Sequence, residues 1–310
     1  MSLDTRLGGT RRTGILLAVG TAVISGFAVF VNGYGVRAWS EISDSATYTT
    51  FKNATAALIL VVVGVAAASR HNGKALDREA VRGHWRGLTA IALVGGSVPF
   101  LLFFEGLSRA TSGDAAFIHK TLVVWVALLA VTLLRERIGP VHVVAIAVLV
   151  AGQAALSGVA GIEFGSGEWM ILGATLLWSI ETVIAKRVLA GVPATTVGIA
   201  RMAGGSLILV AYVLVVGGLS SLGQLTGAHF VWIAVTGLTL AGYVGTWFAA
   251  LKRAPAVDVT AVLVGGALIT ALLESGVRGA AVPSVAGVAL VLVGVGLVGS
   301  RAWTRTAHSL

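Results

Sequence analysis

Long apolar runs separated by short polar connections dominate this chain. A helix rises 1.5 Å per residue, so about 20 apolar residues cross a hydrocarbon core. Runs of that kind fall at about 14–38, 46–69, 88–109, 113–134, 140–158, 168–189, 194–217, 229–251, 256–275 and 283–302. None alternates with the period of two that a transmembrane β-strand requires. Backbone groups in lipid must be satisfied within their own segment, so each run is predicted to be a helix. The pattern therefore predicts an all-α integral membrane protein of ten transmembrane helices, with no soluble domain.

Composition agrees. The chain is 56% hydrophobic and 11% charged, whereas soluble domains carry roughly 25% charged residues. Its 41 glycines suit membrane helices. Arg6, Arg11 and Arg12 precede the first apolar run as they would in a signal peptide. That run is longer than a signal peptide's apolar region, which marks it as a retained span.

Charge distribution supplies orientation. With the N-terminus cytoplasmic, sixteen of the 22 Lys and Arg residues fall inside and only Arg37, Arg109 and Arg278 outside, with Lys52, Lys120 and Arg201 within spans. This asymmetry places both termini in the cytoplasm. It also accounts for the net charge of +9 without a nucleic-acid partner. The basic loop RHNGKALDREAVRGHWR (70–86) is read as a topology signal.

The chain repeats. LSRATSGD (107–114) and LKRAPAVD (251–258) share Leu, Arg, Ala and Asp at an offset of 144, and FFEG (103–106) matches WFAA (247–250) in character. TTFKNATAALIL (49–60) resembles VGIARMAGGSLIL (197–209), with Lys52 opposite Arg201. Two five-helix units follow, 14–158 and 168–303. Five is odd, so the second unit is expected to enter from the opposite side. Inverted repeats are characteristic of secondary transporters, whose solute site lies near the midplane between the repeats.

At this point the chain resembles a known family. GLSRATSGDAAFIHKTLVVWVALLAVTLLRERIGP (106–140), the opening LLWSIETVIAKR (176–187) of the sixth span and the end ALLAVTLLRER (127–137) of the fourth are similar to the EamA-type branch of the drug/metabolite transporter superfamily. The resemblance covers nearly the whole chain. It implies a plasma-membrane carrier of small organic metabolites, amino acids or related solutes, working outward with protons or the solute gradient as the driving force.

Polar residues inside spans are the candidate site, because charge in the bilayer costs roughly 2.5–3.5 kcal/mol on insertion scales. Glu105, His119 and Lys120 correspond to Ala249, Leu263 and Val264 in the second unit. The fold thus does not demand charge there. Glu105 and Lys120 lie at matching depth on helices joined by a short loop, which lets them pair and face a cavity. Neighbours on a helix diverge by about 100°, so Lys120 is favoured over His119, a potential proton carrier. Glu181 lies deep in the sixth span, without an evident counterpart in FAVFV (27–31). It either faces the cavity or pairs with Arg201 or Lys52. Lys52 and Arg201 recur in both units, consistent with architecture or with a carboxylate-bearing solute. Asn32, Tyr243 and Trp247 add hydrogen bonds or stacking. Arg109, Arg253, Asp114 and Asp258 occur in both units and read as architecture, the aspartates favouring helix N-termini. Small residues at Ala147, Ala151, Ala155, Gly287 and Gly294 suit close packing, within the chain or at a homodimer seam.

Other chemistry lacks its signatures. Cysteine is absent, so disulfides and thiol chemistry are excluded. There is no phosphate-binding Gly-rich loop, no metal motif and no nucleophile elbow, and no cofactor is implied. The alternatives are an intramembrane enzyme or lipid flippase using Glu105, Glu181 and His119, and a channel.

Overall fold

The computed structural model describes residues 3–40, 42, 44–70, 78–158, 164–217 and 220–304. Lys74 and Arg305, which belong to the charge asymmetry, and residues 71–77 of the basic loop lie outside them. Helix is the only extended regular structure among the described residues. Among the described residues, nine helical segments are long and apolar enough to cross a membrane, and a tenth holds the shorter apolar run Val285–Ser300. Large apolar side chains such as Leu16, Leu58, Leu207 and Val215 face outward, as a lipid surface requires.

The first two spans are single helices, α1 (Leu3–Ser40) and α2 (Ser45–Arg70), and a short α3 (Arg78–Gly83) precedes the third. The third, fourth, seventh and ninth spans are not the continuous helices expected. The third divides into α4 (Trp85–Val94) and α5 (Val98–Leu107) at Gly95–Ser97. Pro99, in the first turn of α5, lacks an N–H and cannot continue a helix from the preceding turn. The fourth divides at Thr121 into α6 (Ser112–Lys120) and α7 (Leu122–Leu133). α8 (Pro140–Ser157) and α9 (Ser166–Val188) are continuous. The seventh is α10 (Ala194–Ile199), one π-helical stretch over Ala200–Gly204, and α11 (Gly205–Val215). α12 (Gly227–Arg253) is continuous. The ninth divides at Gly265 into α13 (Ala256–Val264) and α14 (Gly266–Arg278), and α15 (Val285–Thr304) closes the chain.

Two of these breaks are related. Thr121 and Gly265 stand 144 positions apart, the spacing of the repeat. Both keep right-handed helical angles, φ −63° and ψ −8° at Thr121, φ −55° and ψ −24° at Gly265. Each break is a local tightening of the helix with three-residue hydrogen-bonded turns, not an unwinding.

The two units interleave. α1 packs along α12 and touches α13 and α14, α8 packs along α15, and α4, α5, α6 and α7 pack on α9. Gly287 and Gly294 of α15 face Leu156 and Leu149 of α8, which places these two small residues within the chain. Ala147, Ala151 and Ala155 are exposed. Gly96 and Gly205 bring the α4–α5 break against α11. A Cβ on Gly205 would lie 2.6 Å from the Cα of Gly96, a separation that only backbone movement can relieve. Gly205→Ala is therefore expected to destabilise the protein by about 1–3 kcal/mol, read as a lower melting temperature in detergent. Unchanged melting would show that the two backbones part easily.

Candidate functional site

The breaks surround a cavity of about 190 Å³. Its walls bring together Asn32, Lys52, His119, Lys120, Glu181, Arg201, Tyr243 and Trp247, eight of the nine residues singled out from sequence. It is otherwise largely aromatic and aliphatic, with Phe100, Phe103, Phe104 and Trp178 prominent.

Glu105 is the exception. It does not pair with Lys120. It forms an ion pair with Arg109 one turn along α5, and both side chains are about half exposed. It borders a separate hollow with Trp39, Asp44, Tyr48 and Ser108. An i,i+4 partner on the same helix is closer to hand than a lysine at the far end of α6. Exposed pairs of this kind contribute about 0.2–0.5 kcal/mol. Glu105→Gln is therefore expected to leave melting and solute binding close to wild type, and a large loss of binding would return Glu105 to the site.

Glu181 and Arg201 form the centre of the second unit's wall. Arg201 Nε donates to Glu181 Oε1 at 2.6 Å and Nη2 to Oε2 at 3.3 Å. Both side chains are nearly inaccessible, at 3% and 6%. Arg201 belongs to the π-helical stretch, whose extra residue per turn is a frequent mark of functional positions. Glycine makes the room: a Cβ on Gly95 would overlap the Glu181 carboxyl group, and one on Gly96 would overlap the Arg201 carbonyl. The carbonyl that the break frees at Gly95 accepts from Trp178 Nε1 at 3.1 Å.

Lys52 is 3% exposed. Its ammonium donates to Asn32 Oδ1 at 3.2 Å and lies 4.5 Å from the Phe104 ring centroid, within cation–π range. Asn32 Nδ2 donates to Ala28 O at 2.8 Å, which orients Oδ1 toward Lys52. Tyr48 OH also donates toward Asn32 Oδ1, at 3.2 Å, and reaches Thr236 Oγ1 at 3.0 Å.

These two pairs correspond. Asn32 and Lys52 stand 149 positions before Glu181 and Arg201, and 20 residues separate the partners in each pair. Glu181 therefore has a counterpart in the first unit, contrary to the expectation from FAVFV. It is Asn32, the residue just after that stretch. The first unit keeps the cation and its acceptor oxygen but replaces carboxylate by amide.

His119 and Lys120 both border the cavity, although adjacent helical positions were expected to exclude one of them. The His119 ring packs at 5.0 Å from Trp178 and 5.2 Å from Phe103, and its Nδ1 is buried without a hydrogen-bond partner. Lys120, at the last turn before the break, also borders a small crevice with Thr121 and Gln153. The helix ends there, so its long side chain is free to reach around. Tyr243 and Trp247 stack at 6.0 Å with an interplanar angle of 10°. The acid–base set Glu105, Glu181 and His119 is not assembled, because Glu105 is elsewhere and Glu181 is engaged by Arg201.

Sequence reasoning missed much of the aromatic wall. Phe103 carried a usable signal, because it is the repeat counterpart of Trp247 and both border the cavity.

A second polar cluster lies at one end of the bundle. Asp258, fully buried, accepts from Arg11 Nη2 at 2.7 Å and Nε at 3.2 Å, and its Oδ1 meets His142 Nε2 at 3.1 Å. Gly139 N donates to His142 Nδ1, which puts the proton of a neutral imidazole on Nε2, facing Asp258. Asp114, its repeat counterpart, instead forms a local cap. Thr111 Oγ1 accepts from Asp114 N at 3.1 Å and donates to Oδ2 at 2.7 Å. The architectural reading of the aspartates thus holds in two different forms. Beside Asp258, Glu136 accepts from Ala256 N at 2.8 Å and Val257 N at 3.3 Å, while Lys186 donates to Ala254 O at 2.7 Å and Leu251 O at 2.5 Å. An anion thus meets the start of α13 and a cation the end of α12, each complementing a helix dipole. Arg135, with a left-handed φ of 55°, turns the chain immediately before Glu136.

Comparison with known proteins completes the picture. The model of the EamA-like transporter family matches the chain twice, over residues 12–158 and 165–301. No curated protein matches it. Among solved structures, one described only as a crystal structure of a protein is similar over 94% of this chain and 98% of its own, with a TM-score of 0.74 at 18% identity. That likeness concerns the fold alone.

Proposed function

The chain belongs to the EamA-like transporter family, and from that premise we propose that it is a secondary transporter exporting a small organic metabolite of amino-acid size across the cytoplasmic membrane. The observation that carries this reading is the cavity itself. It is bordered by both units and contains a corresponding cation–acceptor pair from each. The reading takes the units as inverted repeats and the Asp258 end, with both termini, as cytoplasmic. Rocking about the related breaks at Thr121 and Gly265 would then expose the cavity to one side at a time. In this reading the contacts of Glu136 and Lys186 with α12 and α13 form the cytoplasmic gate. Protons or the solute's own gradient supply the drive.

The absence of native cysteine permits a direct test. Ser25 borders the cavity, so Ser25→Cys reports its accessibility to an impermeant maleimide in vesicles of either orientation. Alternating access predicts labelling from both faces. A disulfide across Glu136→Cys and Ala256→Cys, formed before labelling, is expected to abolish labelling from the cytoplasmic face and preserve it from the other. Labelling from both faces in the locked protein would instead identify a channel, and labelling from one face only in the unlocked protein would end the alternating-access reading.

A further inference from the structure

The charges bordering the cavity do not balance. Lys52, Lys120 and Arg201 are basic groups, while Glu181 is the sole acidic one among the described lining residues. Both Glu181 oxygens are already engaged by Arg201. Among the described residues, neither lysine has a carboxylate within 4.0 Å, and the Lys120 ammonium has no hydrogen bond or ion pair of its own. A cation held away from water without a counter-charge is costly. Here the imbalance has a definable origin in the repeat. Where the second unit places Glu181 against Arg201, the first places Asn32 against Lys52. The amide supplies the hydrogen bond and omits the charge.

Resting on the transporter reading above, we infer that the solute is an organic acid anion with an apolar, ring-sized body and no ammonium group. The two lysines supply the counter-charge for an acid group. The faces of Phe103, Trp178, Tyr243 and Trp247 suit a flat apolar body, since aromatic contacts add to simple burial. An ammonium group on the same solute would find no free carboxylate in the cavity and would stand among like charges. This narrows the amino acids and related solutes implied by family resemblance to the related solutes that lack the amine.

Three compounds sharing one phenyl body test the inference on the purified full chain: 3-phenylpropionate (anion), L-phenylalanine (zwitterion) and phenethylamine (cation). Binding is read by calorimetry and by the rise in melting temperature that a ligand of the folded state produces. The expected order places 3-phenylpropionate first, L-phenylalanine at least about tenfold weaker, and phenethylamine without effect. The decisive variant is Asn32→Asp. It places a carboxylate beside Lys52 with almost no change of shape, gives up the Nδ2 bond to Ala28 O, and is expected to weaken 3-phenylpropionate about tenfold or more while the protein stays folded. Lys120→Gln is expected to weaken it similarly, with Lys120→Arg recovering most of the loss. Equal or tighter binding of phenylalanine or phenethylamine, unaltered anion binding in Asn32→Asp, or no binding by any of the three overturns the inference. Counterflow in proteoliposomes separates it from its premise. Anion that binds but never exchanges overturns the transporter reading and leaves the ligand class standing. Exchange of phenylalanine without exchange of 3-phenylpropionate overturns the class and leaves the transporter.

Discussion

Arg201→Ala melts roughly 5–15 °C below wild type in detergent, the expected consequence of losing about 3–5 kcal/mol. The size of the effect follows from what remains. Glu181 stays at 3% exposure, and its 2.6 Å partner is gone, so it must hold an unpaired charge or take up a proton, and both cost stability. A buried charge without a partner is far worse than a buried pair, because the pair has already offset its loss of hydration. Removing both charges tests this explanation. Arg201→Met combined with Glu181→Leu should recover most of the loss, as similarly shaped apolar groups often replace a buried pair without penalty. The explanation fails if Arg201→Ala melts like wild type, or if the double variant is worse than the single one. Solute binding should respond differently. Arg201 borders the cavity, so anion affinity should fall in the single variant.

Asp258→Ala carries the second large effect, about 2–4 kcal/mol, and it should appear in melting without direct loss of a cavity contact. Arg11 has 19% of its side chain exposed and can partly rehydrate, which tempers the cost. His142 Nε2–H, 3.1 Å from Asp258 Oδ1, loses its acceptor inside the bundle, worth about 1–3 kcal/mol when left unsatisfied. Asp258→Asn should retain the histidine contact and fall between the two. The repeat supplies an internal control. Asp114→Ala removes only a local cap and its helix-dipole contribution, worth about 0.5–1 kcal/mol. Equal losses at Asp114 and Asp258 would show that these aligned residues serve one shared role after all.

The contrast between those aspartates illustrates what a linear repeat can and cannot disclose. Matching LSRATSGD with LKRAPAVD correctly identified two positions that both units retain. It could not distinguish a capping residue from a buried ion-pair partner, because Asp258 reaches Arg11 across 247 positions of chain. Glu105 failed for the opposite reason. Its departure from the repeat suggested a site, yet the nearest cation was one turn away on its own helix. Glu181 was recognised by its depth, and its counterpart Asn32 was overlooked because the comparison sought another charge at FAVFV.

The helical membrane class, the approximate limits of the spans and the presence of a repeat were determined by sequence alone. Each depends on a local property, namely how many consecutive residues lipid will accept and which residue types recur at a fixed spacing. Most of the polar site was legible for the same reason, since charge inside a span is expensive wherever it occurs. Tertiary structure decided the rest: the four interrupted spans, the engagement of Glu181 by Arg201, the separation of Glu105 from Lys120, and the aromatic wall. Those outcomes depend on which helix faces are brought together, and apolar faces facing lipid and apolar faces facing a cavity have the same composition. The charge imbalance emerges only at that level, because it requires knowing that Asn32 meets Lys52 in the way that Glu181 meets Arg201.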